Sequence, residues 1–190
     1  AYNGVGGIIG VSWGAIGGTV TIKNCYNTGK ISLKNQSYNY NGTAGIIGSM
    51  QQANYVLQIY NCYNIGTIEG YWTGGMLGSR TDVGSTKIIN CYNIGTLITK
   101  FRRGGIYGKN IHVNETTEND VVDNVYWLDI SAEKVSGFGS PKGSYSMLTL
   151  SDINNNILLN SLNGYRNSEQ IYPLDWNKWK AGNNGYPIFE

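Results

Sequence analysis

The sequence predicts an all-β fold: a three-sided parallel β-helix of about three to four coils of ~30 residues, closed by a short C-terminal α-helical cap. Three observations carry this expectation. Six residues recur almost unchanged, as "NCYNTG" at 24 to 29 and as "NCYNIG" at 61 to 66 and 90 to 95. A second block, "GGIIG" at 6 to 10, returns as "AGIIG" at 44 to 48, "GGMLG" at 74 to 78 and "GGIYG" at 104 to 108, with a period that settles at 30 after a first interval of 38. The chain is also rich in turn formers, with 27 Gly and nearly as many Asn, the two residues that best tolerate positive φ.

Within one period the side-chain logic is direct. Ile22, Ile59 and Ile88 stand three residues before Cys25, Cys62 and Cys91. A straight strand sends residues i and i+3 to opposite faces, so burying both requires a corner between them. Asn24, Asn61 and Asn90 suit that corner because Asn accepts the left-handed conformation. Asn27, Asn64 and Asn93, with Gly29, Gly66 and Gly95, suit the next corner, after which Ile31, Ile68 and Leu97 point inward again. Stacked period on period, each Asn amide can donate to one neighbour and accept from the other, so both Asn columns are expected to form ladders. Three cysteines cannot all pair within one chain, and neither Cys-x-x-Cys nor Cys/His spacing occurs around the single His112. Cys25, Cys62 and Cys91 are therefore expected to be buried free thiols acting as small hydrophobes. No metal and no cofactor is expected.

The repeats are expected over 1–130 and the cap over 131–190. In "LTLSDINNNILLNSLNG", Leu150, Ile153, Ile157, Leu158 and Leu162 fall at near-helical spacing, which predicts a short helix near 150–163 over the last coil, with Ser151 as N-cap and Gly164 as stop. Trp176, Trp179, Tyr186, Pro187 and Phe189 are expected to fold back against the body as a packed cap.

Composition narrows the function. Fourteen Lys and Arg against twelve Asp and Glu leave a net charge of +2, far from the basic footprint of a nucleic-acid binder. No apolar run approaches the roughly 20 residues that span a bilayer, so membrane insertion is not expected. The chain opens on Ala1 inside a glycine-rich pattern, which reads as a piece of a longer protein with neighbouring domains.

Chemistry is expected in the segments that leave the coils. Those at 32 to 43, 69 to 73 and 98 to 103 are expected to emerge as loops on one edge and gather Tyr38, Tyr40, Tyr71, Trp72 and Phe101 beside Lys100, Arg102 and Arg103. Flat aromatic faces with hydrogen-bonding neighbours suit a sugar or a protein surface; shielding of loop backbone is the competing structural reading. A second edge, with Trp13, Tyr55 and Arg80, reads as structural. The acidic stretch at 114 to 120, with Asp123 beyond, lacks the alternating spacing of a calcium loop and reads as a solvated surface. For catalysis the candidates are Arg80 with Asp82, and Glu69 near Arg102 or Arg103; the groove is short for a polysaccharide site, and the chain is not expected to be an enzyme.

The pairing of "GGIIG" or "GGMLG" with "TIKNCYNTG" or "KIINCYNIG", followed by "VVDNVYWLD", a leucine-rich helix and "GNNGYPIFE", resembles the GLUG-type repeats of secreted and surface-anchored bacterial proteins, especially those of gut Firmicutes. That resemblance implies an extracellular β-solenoid at the bacterial cell surface. It implies part of an adhesin, or an accessory region of a large surface enzyme such as a peptidase. It supplies no catalytic residues. The function expected is a non-catalytic binding module that contacts a glycan or a host or bacterial surface protein through its aromatic edge; the alternative is a structural spacer or an accessory region of a large surface enzyme, a peptidase or a glycan-active one.

Overall fold

The computed structural model describes residues 4–12, 17–33, 42–51, 55–80, 84–110, 120–129, 131–132, 141–168 and 175–190. Each period contributes four strand positions, one more than the three sides expected from the sequence, because the short "YN" of the repeated hexapeptide is itself a strand. The first period supplies β1 (Val5–Gly6), β2 (Ile9–Ser12), β3 (Thr19–Lys23), β4 (Tyr26–Asn27) and the additional β5 (Ile31–Ser32). The second supplies β6 (Gly42–Ala44), β7 (Ile47–Met50), β8 (Val56–Tyr60) and β9 (Tyr63–Asn64). The third supplies β10 (Ile68–Gly74), β11 (Leu77–Arg80), β12 (Ser85–Ile89) and β13 (Tyr92–Asn93), and the fourth β14 (Leu97–Gly104), β15 (Tyr107–Asn110), β16 (Val121–Asp123) and β17 (Val125–Leu128).

Like strands pair with like, always in parallel, in the orders β1-β6-β10-β14, β2-β7-β11-β15, β3-β8-β12-β16 and β4-β9-β13-β17. The registers join equivalent residues: Ile22 to Ile59 and Ile59 to Ile88, Asn27 to Asn64 and Asn64 to Asn93, Ile9 to Ile47 and Ile47 to Leu77. The long first interval has a visible origin. Both β5 and β6 pair with β10, Ser32 opposite Glu69 and Gly42 opposite Trp72. In sequence, 33–41 separate two strands that pair with the one continuous strand β10 of the third period.

One apolar interior runs through the stack, from Ile22 through Ile46, Leu57, Cys62, Ile68, Met76, Ile88, Cys91, Leu97 and Ile106 to Val125 and Trp127. The two recurring blocks meet across it. A Cβ on Gly45 would lie 2.6 Å from Asn64 Cβ, one on Gly75 2.4 Å from Asn93 Cβ, and one on Gly105 2.2 Å from Trp127 Cγ. The second glycine of the "GG" block therefore exists to admit the side chain of the hexapeptide opposite.

The stacking extends beyond the boundary expected at 130. Strand β18 (Tyr145–Leu148) pairs in parallel with β17, and Val121 bridges to Lys142. Two helices follow, α1 (Leu150–Asn154) and α2 (Ile157–Ser168), then an antiparallel hairpin of β19 (Trp179–Ala181) and β20 (Pro187–Phe189). The N-cap is Thr149 rather than Ser151, since its hydroxyl accepts from Asp152 N while the Asp152 carboxylate accepts from Thr149 N, a closed capping box. Gly164 does not end the helix, which runs on to Ser168.

The C-terminal segment does not sit over the last period as a lid; it lies along the side of the stack. Helix α2 reaches the last period through Tyr165 Oη, which donates to Asp123 Oδ2 at 2.6 Å. Burial works to raise the Asp123 carboxyl, but hydrogen bonds from Ser144 and Tyr165 outweigh it and hold the group below the usual carboxylate range. Beyond the helix the chain returns to the first period. Lys23 forms an ion pair with Asp175, Asn24 Nδ2 donates to Asp175 O at 2.7 Å, and Asn177 N donates to Asn24 Oδ1 at 3.0 Å.

Candidate functional site

The recurring polar residues are absorbed into the scaffold. Asn24, Asn61 and Asn90 hold φ of 53°, 52° and 54°, the left-handed corner that lets Ile and Cys three residues apart both face inward. Asn124, at φ 50°, makes the same corner in the fourth period. Their amides form a ladder, Asn61 to Asn24 at 2.8 Å, Asn90 to Asn61 at 2.8 Å and Asn124 to Asn90 at 2.7 Å. Asn27, Asn64 and Asn93 lie in strands rather than left-handed turns and form a second ladder, Asn27 to Asn64 at 2.8 Å and Asn64 to Asn93 at 2.7 Å. Trp127 takes the next position, so Asn93 Nδ2 donates instead to Gly105 O at 2.8 Å.

The cysteines are free thiols; Cys62 and Cys91 are buried and Cys25 is half-buried. The Cys62 and Cys91 sulfurs each accept the backbone N–H of the cysteine one period earlier, Cys25 N to Cys62 Sγ at 3.4 Å and Cys62 N to Cys91 Sγ at 3.3 Å. Burial pushes the Cys62 thiol far up, and the Cys25 thiol is raised by its contact with the Cys62 thiol and by burial. Such thiols are poor nucleophiles and poor metal ligands.

Arg80 and Glu69, one from each of the sequence's catalytic pairings, each engage a residue outside those pairings. Arg80 lies in the interior, its Nη1 donating to Asp120 Oδ1 at 2.8 Å and its Nη2 to Asp120 Oδ2 at 3.2 Å, and Asp120 also accepts from Thr86 N at 2.8 Å. Asp120, at the end of the acidic stretch, is therefore a buried structural partner. Asp82, His112, Trp13 and 114–119 lie outside the described residues. Glu69 binds Lys30 Nζ at 2.9 Å and accepts from Ser32 Oγ at 3.3 Å.

The aromatic edge is built differently from expectation. Residues 69–73 and 98–103 are not loops but parts of β10 and β14. Strand alternation therefore separates two neighbours assigned to one surface: Tyr71 is half-buried on the outer side, and Trp72 is only 2% exposed. Trp72 is packing beneath the site, not a contact residue. The pairing of β10 with β14 breaks at a bulge, where Tyr71 alone stands opposite Lys100 and Phe101 between the pairs Gly70–Thr99 and Trp72–Arg102. Thr99 stitches the bulge, its hydroxyl donating to Tyr71 O at 2.7 Å and accepting from Phe101 N at 3.2 Å.

The result is a small aromatic platform. Tyr71 and Phe101 stack with centroids 5.0 Å apart and planes 7° from parallel, and Trp72 meets Phe101 edge-on from below at 4.6 Å and 74°. Phe101 is 52% exposed. The exposed Arg102 guanidinium carbon lies 5.9 Å from the Phe101 ring centroid. Arg103 is also exposed and donates Nη1 to Leu97 O at 3.0 Å. Tyr38, Tyr40 and the Lys100 side chain lie outside the described residues.

A third recurring side chain was given no role by sequence reasoning, the tyrosine of the hexapeptide. Tyr26, Tyr63 and Tyr92 stack face to face at 4.9 Å and 5.1 Å, within 6° of parallel. Trp179 and Phe189 pack onto this column, and Tyr92 Oη donates to Pro187 O. The signal was its fixed third place in the hexapeptide. Comparisons with protein-family models, curated proteins and solved structures each return no match.

Proposed function

We propose that this chain is a parallel β-solenoid serving as a non-catalytic binding module of an extracellular bacterial surface protein, with a glycan as its ligand. The observation that carries the reading is the Tyr71–Phe101 pair, two stacked, near-parallel rings held by a Thr99-stitched bulge with Phe101 half-exposed. An aromatic ring packs against the C–H face of a sugar, and neighbouring guanidinium groups donate to hydroxyls or ring substituents. The rings are fixed before any ligand arrives, which limits the entropy lost on binding. A non-catalytic role suits a surface whose nearby carboxylate, Glu69, is engaged by Lys30 and Ser32.

The test is a glycan array probed with the chain and with a Tyr71→Ala/Phe101→Ala variant that leaves Trp72 in place. Selective signal that disappears in the variant, while the thermal melt stays within a few degrees, supports the reading. Undiminished signal would move the ligand elsewhere on the surface. The alternative of a structural spacer draws on the unbroken interior from Ile22 to Trp127, and predicts no ligand at all on the array.

A further inference from the structure

The Tyr71–Phe101 pair sits in an unevenly charged surface. Strands β5, β6, β10 and β14 contain three basic residues, Lys100, Arg102 and Arg103, and one acid, Glu69, whose charge Lys30 matches at 2.9 Å. Those three bases exceed the net charge of +2 carried by the whole chain, so the remaining sequence is on balance acidic. Their position follows from the bulge. With Lys100 and Phe101 both opposite Tyr71, strand alternation is reset, and Phe101, Arg102 and Arg103 are exposed in succession. The Arg102 guanidinium carbon, 5.9 Å from the Phe101 centroid, lies within cation–π range of that ring. Arg103 is held by the bond from its Nη1 to Leu97 O at 3.0 Å. A carbonyl anchors a guanidinium without cancelling its charge, and the group has more N–H donors than that one bond uses.

We infer that the glycan of this edge is an acidic one, its sugar ring against the Tyr71–Phe101 pair and its carboxylate or sulfate groups on Arg102 and Arg103. The inference rests on the glycan reading of the aromatic pair and adds the chemical class of the ligand. A neutral sugar makes no use of a local excess of positive charge. An oxyanion does: it can accept two parallel N–H bonds from one guanidinium, and such charge-assisted bonds are roughly twice as strong as neutral ones. Single-stranded nucleic acid likewise combines ring stacking with anionic groups. The charge argues against it, because three bases on one edge of a chain of net +2 fall far short of the basic footprint that tracks a phosphate backbone.

The experiment probes the full chain with a glycan array whose members are neutral, uronic-acid-bearing and sulfated, adds a single-stranded oligonucleotide, and titrates the strongest binder of each class. Signal confined to one or both acidic classes is the expected result, and the two classes tell carboxylate from sulfate. Arg102→Gln/Arg103→Gln should weaken the acidic glycan about tenfold or more. In the parent its affinity should fall as salt is raised to about 0.5 M, a measurement that decides the matter should the double variant not fold. Neutral glycans bound as tightly as acidic ones, or an affinity indifferent to salt and to both arginines, would overturn the acidic class and leave the aromatic reading standing. No glycan bound in any class would overturn the aromatic reading itself, and an oligonucleotide bound more tightly than every glycan would replace the ligand with nucleic acid.

Discussion

At the scale of single residues, Asn61 concentrates two demands on one side chain. Its φ of 52° disfavours residues with a Cβ and no local hydrogen bond, at about 1–2 kcal/mol. Its amide also donates to Asn24 Oδ1 and Asn177 O and accepts from Asn90, buried contacts whose loss strands partners at about 1–3 kcal/mol. Asn61→Ala should therefore lose about 2–5 kcal/mol in urea denaturation, summing those two ranges. Asn61→Gly relieves the backbone part and should recover about 1 kcal/mol of that loss. Equal losses would mean that the backbone conformation is not what the position selects. The thiols give a pH dependence of definite sign. Unfolded cysteine ionises near its ordinary value of 9.0, while burial keeps folded Cys62 protonated well above it. Above that pH the unfolded chain holds fewer protons than the folded one, so stability falls as pH rises. Tyr63, pushed up to about 12 by burial and by Tyr26, extends the fall beyond its ordinary value of 10.0. Denaturant midpoints should be flat just above neutrality and decline from about pH 9 upward; a midpoint that rises there would contradict the buried thiols.

At the scale of elements, what was legible and what was not divide along a physical line. The Asn corners and buried thiols could be read because their constraints are local and recur. Strands β10 and β14 could not, because "EGYWT" and "ITKFRR" look like loops when read alone and become strands only through the neighbours they pair with. That error put Trp72 on the surface, where one residue of alternation decides everything. The helix start was readable: "TLSD" is a capping box with Thr149 at its head, two residues before the expected Ser151. Thr149→Ala should destabilise the chain by about 1 kcal/mol in urea denaturation. Thr99→Val keeps a β-branched side chain but removes the hydroxyl that stitches the bulge. It should weaken any glycan bound at the platform while leaving the fold in place, measured as titrated affinity beside far-ultraviolet circular dichroism. Unchanged affinity would show that the bulge holds its rings without that hydroxyl.

At the scale of the whole molecule, the all-β class with parallel pairing follows from periodicity, but the path of the C-terminal segment does not. Nothing in "DWNKWKAGNNGYPIFE" repeats, so its partners could be found only through the tyrosine column that it covers. Two contacts of that segment differ in kind. Trp179 is 2% exposed between Tyr63, Tyr92 and Phe189, and Trp179→Ala should cost about 3–5 kcal/mol. Lys23–Asp175 is an ion pair between half-exposed side chains, and Asp175→Ala keeps the backbone carbonyl that Asn24 uses, so the loss should stay within about 1 kcal/mol. Denaturation of both variants side by side checks the ranking, and a larger effect from Asp175 would reverse it.

The link from Asp175 and Asn177 back to Lys23 and Asn24 also sets an order of events during synthesis. The earliest period leaves the ribosome some 150 residues before the segment that finishes its asparagine corner, and closing so long a loop is slow. Until then the nascent chain carries an open tyrosine face. Polypeptides stalled before Asp175 should therefore be held by chaperones, and a chain that ends before Asp175 should be digested by proteases far faster than one that carries the segment 175–190.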